Sequence, residues 1–386
     1  MVLNWVEFKN KDINLSINRV HFNSTISLLV GLTGSGKSQI ISAIEVLCGI
    51  ATHSTSSFQS ISGSISFSVN GNDYIWSVET IRSEEDDSDR DDVPNIIMNI
   101  YRMMYYDAKT IIASEHLSCN GETVFNRNDK ENFISGFSEI PPCDNTRSYI
   151  SLFNKYEKIK EANFAFKSIY QIWFRRPAAY KVNISALDDK IARFSFLSEL
   201  AHDQEEYKLA FPFFHDLISK IGILLDTNAG LWNEVLANYQ SIFEEVEDIK
   251  IGPCLGSKEA VTIYFVINHV EIDIGNISSG MVKTLQLITD LFLSSESNVI
   301  LIDELENGFG INCIDAVWDI VKKKARNIQF ILTSHHPYVI SNLDYSKFLI
   351  VQRKGNEIFT QTGKEFKLDE THLDYYDMIF NRLENK

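Results

Sequence analysis

The sequence has no stretch approaching the roughly 18 consecutive apolar residues that cross a bilayer. Its first residues, MVLNWVEFKNKD, also lack the basic start, apolar run and small-residue cleavage site of a secretory signal. A cytoplasmic protein with no membrane partner is expected. Cysteine is scarce: Cys48, Cys119, Cys143, Cys254 and Cys313 are scattered with no Cys-x-x-Cys pairing. An odd number in a reducing compartment reads as buried or incidental thiols, so neither a disulfide nor a zinc site is expected. Positive charge is in deficit, with 36 Lys and Arg against 52 Asp and Glu and a net charge of −16. That balance disfavours broad, sequence-independent nucleic-acid binding, which needs a surplus of cations on one face. Part of the excess is local: residues 83–92, SEEDDSDRDD, read as a solvated loop, and a local basic groove elsewhere stays open. Pro141-Pro142, Pro177 and Pro212 interrupt the helical segments, so no heptad pattern is sustained and a long coiled-coil arm is excluded.

What remains is enough for two or three lobes, since 386 residues at 44% hydrophobic content bury a sizeable core. The first part, residues 1–100, has strand-like segments around Trp5–Phe8 and Ser27–Val30, then a helix from Lys37 to about Leu47. Ile65, Phe67 and Val69 alternate with polar positions, Asn70-Gly71 supplies a turn, and Tyr74, Trp76 and Val78 alternate again, which predicts a β-hairpin. Residues 101–250, with segments such as Tyr156–Trp173 and Phe211–Leu225, are expected to form a mostly helical insertion. From 251 to 386 strands and helices alternate: strand Val261–Ile267, helix Thr284–Leu293, strand Val299–Ile302, helix Asp315–Lys324, and strands Phe330–Thr333 and Phe348–Val351. This order implies an α/β fold, a parallel sheet with helices plus an antiparallel β part, assembled from both ends of the chain around the insertion.

Gly31-Leu32-Thr33-Gly34-Ser35-Gly36-Lys37-Ser38 fits G-x-x-x-x-G-K-[ST], follows an apolar strand and opens a helix. Backbone N–H groups of Gly31, Thr33, Gly34, Ser35 and Gly36 and the helix N-terminus are suited to phosphate oxygens. Lys37 is expected to reach the β- and γ-phosphates of ATP, and Ser38 to bind Mg²⁺. Far along the chain, Val299–Ile302 is an apolar run ending in Asp303-Glu304. Such a strand delivers carboxylates at its C-terminal edge: Asp303 is expected to hold Mg²⁺ through water, and Glu304 to orient the attacking water. Two more segments flank this pair, Ile277-Ser278-Ser279-Gly280-Met281 and Thr333-Ser334-His335-His336-Pro337. Taken singly, the first is an ordinary helix N-cap and the second the close of a strand; weight comes from all four signals falling in order.

On these residues the sequence resembles the ABC-type ATPases of the SMC, RecF and OLD group. It is most similar to bacterial AAA-type relatives that form half of phage-defence gene pairs, such as PARIS- or Septu-like ATPase subunits. The resemblance implies a P-loop ATPase head interrupted by an insertion. It implies a degenerate signature loop in which Ser278 and Gly280 cap the γ-phosphate bound by an opposing subunit. It also implies a Walker B and D-loop over Asp303–Gly308, with Leu305 where proline is usual, and a switch placing His335 near the γ-phosphate. A homodimer of ATP-sandwiched heads follows, with higher assemblies open. After Val351 the chain is expected to be too short for a nuclease domain, so a nuclease or toxin activity would belong to a separate effector protein. Three readings stay open: a defence ATPase restraining or releasing such an effector, a RecF-like ATPase acting on DNA, and a transporter ATPase subunit. Trp173-Phe174-Arg175-Arg176-Pro177 would suit stacking on bases in the second, although such clusters are more often structural surface.

Overall fold

The computed structural model describes residues 1–53, 60–82, 110–172, 182–188, 216–257, 259–368 and 375–384. They divide into two compact units, residues 1–169 with 344–386, and residues 170–343. The acidic run at 83–92 and the cluster at Trp173–Pro177 lie outside the described residues.

In the first unit, β1 (Val2–Asn10) and β2 (Leu15–His21) pair antiparallel. Strand β3 (Ile26–Val30) is buried at every residue and leads into helix α1 (Lys37–Thr52), which buries Ile40, Ile44 and Leu47 on one face. Strands β4 (Ile61–Val69), β5 (Asn72–Arg82), β6 (Thr110–Cys119), β7 (Glu122–Arg127) and β8 (Asn132–Ile134) continue an antiparallel meander. Its turns at Asn70-Gly71 and Asn120-Gly121 hold all four residues at positive φ, from 51° to 82°. Asn-Gly adopts that geometry at low cost, and its twist matches the flanking strands. Helices α2 (Tyr149–Leu152) and α3 (Glu157–Lys167) follow, with Phe166 of α3 edge-on to Phe67 and Trp76 across the meander's apolar face.

Residues 110–134, within the segment expected to be mostly helical, thus form strands β6 to β8 and the turns between them. Their alternation is hidden twice. A bulge opposite Glu79 and Thr80 shifts the parity of β6 by one residue, and an inward slot is taken by Glu115, which is 1% exposed. The Glu115 carboxylate accepts from Trp76 Nε1 and from the Tyr149 N–H, both at 2.9 Å, and from the Ser148 hydroxyl. Burial nevertheless raises its pKa, outweighing those three donors and the nearby charge of Arg127. A carboxyl raised on folding binds more protons in the native than in the unfolded chain. Its contribution is therefore most favourable below the ordinary value of 4.5 and declines as pH rises above it. Glu115→Gln is expected to flatten that decline in urea midpoints measured from pH 5 upward; an unchanged slope would show that burial does not dominate.

Short strand β9 (Ile169–Gln171) leads to the second unit, in which β10 (Val182–Asn183) precedes helices α4 (Leu217–Thr227) and α5 (Ala229–Gln240). Strands β11 (Val246–Pro253), β12 (Ala260–Ile267) and β13 (Val270–Asp273) form an antiparallel sheet with β10. Helix α6 (Ser279–Leu293), β14 (Val299–Ile302), α7 (Ile311–Lys324), β15 (Gln329–Thr333) and α8 (Pro337–Ser341) then alternate. Strands β14 and β15 pair in parallel, Val299 beside Gln329 through Ile302 beside Leu332. Ile221, Val235, Tyr239, Phe265, Leu285 and Ile288 share one core joining α4, α5 and α6 to the antiparallel sheet. Within the unit, Lys220 of α4 and Asp290 of α6 make a nearly buried ion pair, which fixes the register of the two helices. Removing either partner would cost about 3–5 kcal/mol because the other charge would be left buried.

The chain then returns to the first unit through β16 (Phe348–Lys354), β17 (Glu357–Thr362) and α9 (Tyr375–Glu384). Strand β16 runs parallel to β3, Phe348 beside Leu28 and Ile350 beside Val30, while β17 runs parallel to β2. All five cysteines are free thiols, four of them buried. No described helix is long and apolar enough to cross a membrane.

Candidate functional site

The phosphate loop occupies the turn between β3 and α1, and its glycines have separate structural reasons. A Cβ at Gly31 would lie 2.4 Å from the Val351 carbonyl oxygen of β16, so the parallel neighbour strand runs too close for any side chain. Gly36 has φ of +104°, and a Cβ there would meet Ile358 of β17 at 2.3 Å. Thr33, Gly34 and Ser38 form an exposed rim, while Ser35, Gly36 and Lys37 lie buried beneath it. Lys37 is 7% exposed, and its ammonium reaches back across the loop to the carbonyls of Gly31 at 2.8 Å and Leu32 at 3.0 Å.

Several features fit this loop to a polyphosphate. Helix α1 begins with no side-chain cap and no acid in its first turn, a start suited to an anion. The Ser35 hydroxyl is buried without a hydrogen-bond partner. A buried cation, a helix start without a side-chain cap and an orphaned hydroxyl converge on one short turn, an arrangement suited to an anion.

In the second unit, β14 delivers Asp303 half-buried and Glu304 exposed at its C-terminal end. Thr333, fully buried at the end of neighbouring β15, ties them together. Its hydroxyl donates to Asp303 Oδ1 at 2.7 Å and accepts the Glu304 N–H at 2.6 Å. Glu304 has φ of +50°, which turns the chain so that Leu305 drops back into the core at 0% exposure. Asn307 Nδ2 donates to Glu304 Oε2 at 3.0 Å, and Glu306 Oε1 accepts the His335 N–H at 2.5 Å. The acidic turn and the switch are thereby fastened to each other.

Ser278 is the N-cap of α6, its hydroxyl accepting the Met281 N–H at 3.3 Å. Gly280 lets the chain approach the acidic turn closely: a Cβ there would sit 3.3 Å from both Gly308 O and Gly310 N. Lys283, one turn further on, donates to the Asn307 carbonyl at 2.9 Å. Within this unit the structure brings together Ser278, Gly280, Asp303, Glu304 and His335, while Gly31–Ser38 are gathered in the other. Lys283 was absent from the sequence-based site, while Thr333, Glu306 and Asn307 lay inside its motifs with no individual role. Thr333 was legible as the polar end of a buried strand beside the acidic one; the other three make contacts that no local pattern announces. Among the described residues no group of three or more His, Cys, Asp or Glu could hold a metal by itself.

The fold is an α/β P-loop head of the kind found in SMC proteins. Residues 147–341, just over half of the sequence, match the family described as "AAA domain, putative AbiEii toxin, Type IV TA system", and the chain belongs to that family. The structure is similar to an SMC head bound to the C-winged helix domain of ScpA, with TM-score 0.51 and 12% identity over 94% of this chain and 98% of that one. It also matches an SMC head domain from Thermotoga maritima, with TM-score 0.45 and 13% identity over 94% and 99% of the two chains. At such identities the first likeness speaks for the fold alone. No curated protein matches the sequence.

Proposed function

We propose that the protein binds and hydrolyses ATP with Mg²⁺, in a homodimer whose composite sites control a separately encoded effector of a bacterial antiphage system. The observation that carries the nucleotide reading is the convergence of the buried Lys37 ammonium, the orphaned Ser35 hydroxyl and the uncapped start of α1. In this reading Lys37 offsets the charge of the β- and γ-phosphates, and Ser38 and Asp303 hold Mg²⁺, which would neutralise phosphate charge when bound. Glu304 orients and polarises the attacking water, and Thr333 keeps the acidic turn in place before substrate arrives, so that little reorganisation is needed in the transition state. His335, its backbone held by Glu306, acts at the γ-phosphate. The family description names a type IV toxin–antitoxin system, which fits a protein acting with a partner of its own.

The dimer follows from the pairing of two motifs on one edge of the second unit. Gly280 and Lys283 lie against the Asn307–Gly310 turn and Ser278 caps the same helix start, so an opposing copy's γ-phosphate would meet the helix start and the turn together. A two-fold axis would present this edge twice and enclose two nucleotides. The test mixes a Lys37→Ala chain with a Ser278→Arg chain. Each alone is expected to be inactive, while the mixed dimer keeps one intact composite site and recovers a measurable share of wild-type ATPase activity. No recovery in a mixture shown to contain heterodimers counts against the shared site.

A further inference from the structure

We propose that Lys283 and Asn307 are positioning residues that set the direction of the Glu304 carboxylate from the start of helix α6, an inference that rests on Glu304 acting on the attacking water. Asn307 uses both of its polar ends. Its side-chain amide donates to Glu304 Oε2 at 3.0 Å, and its main-chain carbonyl accepts the Lys283 ammonium at 2.9 Å. The Asn307 N–H also donates to the Glu304 carbonyl at 2.8 Å, so residues 304–307 close into one turn that carries the carboxylate.

Helix α6 grips this turn at two points. Lys283 crosses Gly308 so closely that a Cβ there would lie 2.1 Å from its Nζ, and Gly308 has φ of +79°. Gly280 meets Gly308 and Gly310 backbone with no side chain between them. A shift of the Ser278–Gly280 end of α6 therefore moves Asn307, and Asn307 moves Glu304. Glu304 and Asn307 are both exposed, and an exposed hydrogen bond contributes little net stability. The contact is a directional bias on an exposed side chain, weak enough to answer to whatever engages the helix start. Ligand contact at Ser278 and water orientation at Glu304 then become one linked event.

The test compares Lys283→Met, Asn307→Ala, their combination, Lys283→Arg and Glu304→Gln, measuring ATP affinity and kcat separately. Lys283→Met and Asn307→Ala are each expected to lower kcat on the order of ten-fold, the scale of a modest misplacement of a catalytic group, with ATP Kd unchanged. Lys283→Arg keeps a donor to the same carbonyl and is expected to retain most of kcat. Because Lys283 acts through Asn307, the double variant is expected to fall no further than Asn307→Ala alone. A tie that merely braces the fold would lower the urea midpoint and leave kcat in place, which overturns the proposal, as do additive losses or a parallel loss of ATP affinity. If Glu304→Gln is inactive while Lys283→Met turns over like wild type, only the positioning role fails. If Glu304→Gln itself turns over normally, the assignment of Glu304 fails and takes this proposal with it.

Discussion

Lys37→Ala is expected to weaken ATP binding by at least about a hundred-fold, the loss of two charge-assisted phosphate contacts at roughly 1.5–3 kcal/mol each. The same ammonium also spans the loop to Gly31 and Leu32, so the variant loses a brace as well as a cation. Both effects act on the same turn and in the same direction. The loop's other determinants, Gly31 against Val351 and Gly36 above Ile358, are unaffected, and the fold should persist with an unchanged circular dichroism spectrum. Titration with ATP by calorimetry measures the loss directly. An affinity within about three-fold of wild type, a difference well under one hydrogen bond to a charged group, would remove Lys37 from the phosphate site.

Glu304→Gln is expected to leave ATP binding intact and to lower turnover by about 10²–10³-fold, the range seen when one preorganised electrostatic group is lost. The amide has the carboxylate's shape, and its oxygen still accepts from Asn307 Nδ2, so the turn at 303–307 keeps its hydrogen bonds. Thr333 continues to hold the Asp303 side chain and the residue-304 N–H. Only the negative charge facing the water disappears. Single-turnover hydrolysis beside equilibrium binding separates the two effects, and equal turnover in variant and wild type would sink the assignment.

The placement of these two residues was legible because each sits in a contiguous pattern: a complete G-x-x-x-x-G-K-S run after a buried strand, and an acidic pair closing Val299–Ile302. The hairpin around Asn70-Gly71 was legible for a similar reason, since alternation and turn chemistry agree there. Strand β6 was not, because a bulge and the inward Glu115 together erase its period of two. Helix α6 began five residues earlier than its apolar pattern announced, at the point where the Ser278 hydroxyl caps it. The grip of Lys283 on Asn307 and of Glu306 on His335 joins residues 24 and 29 positions apart. Such contacts depend on how β14, β15 and α6 are laid against one another, and composition or spacing carries no record of that.

With Glu304 acting on the attacking water as proposed, its left-handed backbone puts foldability and chemistry in conflict at a single position. A side chain with a Cβ is held there at a cost of about 1–2 kcal/mol, which glycine would avoid and asparagine would lessen. A chain selected for stability alone would drift toward those residues. Holding a carboxylate at this corner is local frustration that the Thr333 hydroxyl and the buried Leu305 help to sustain, and under the proposed role position 304 is a place where a stabilising substitution would be an inactivating one.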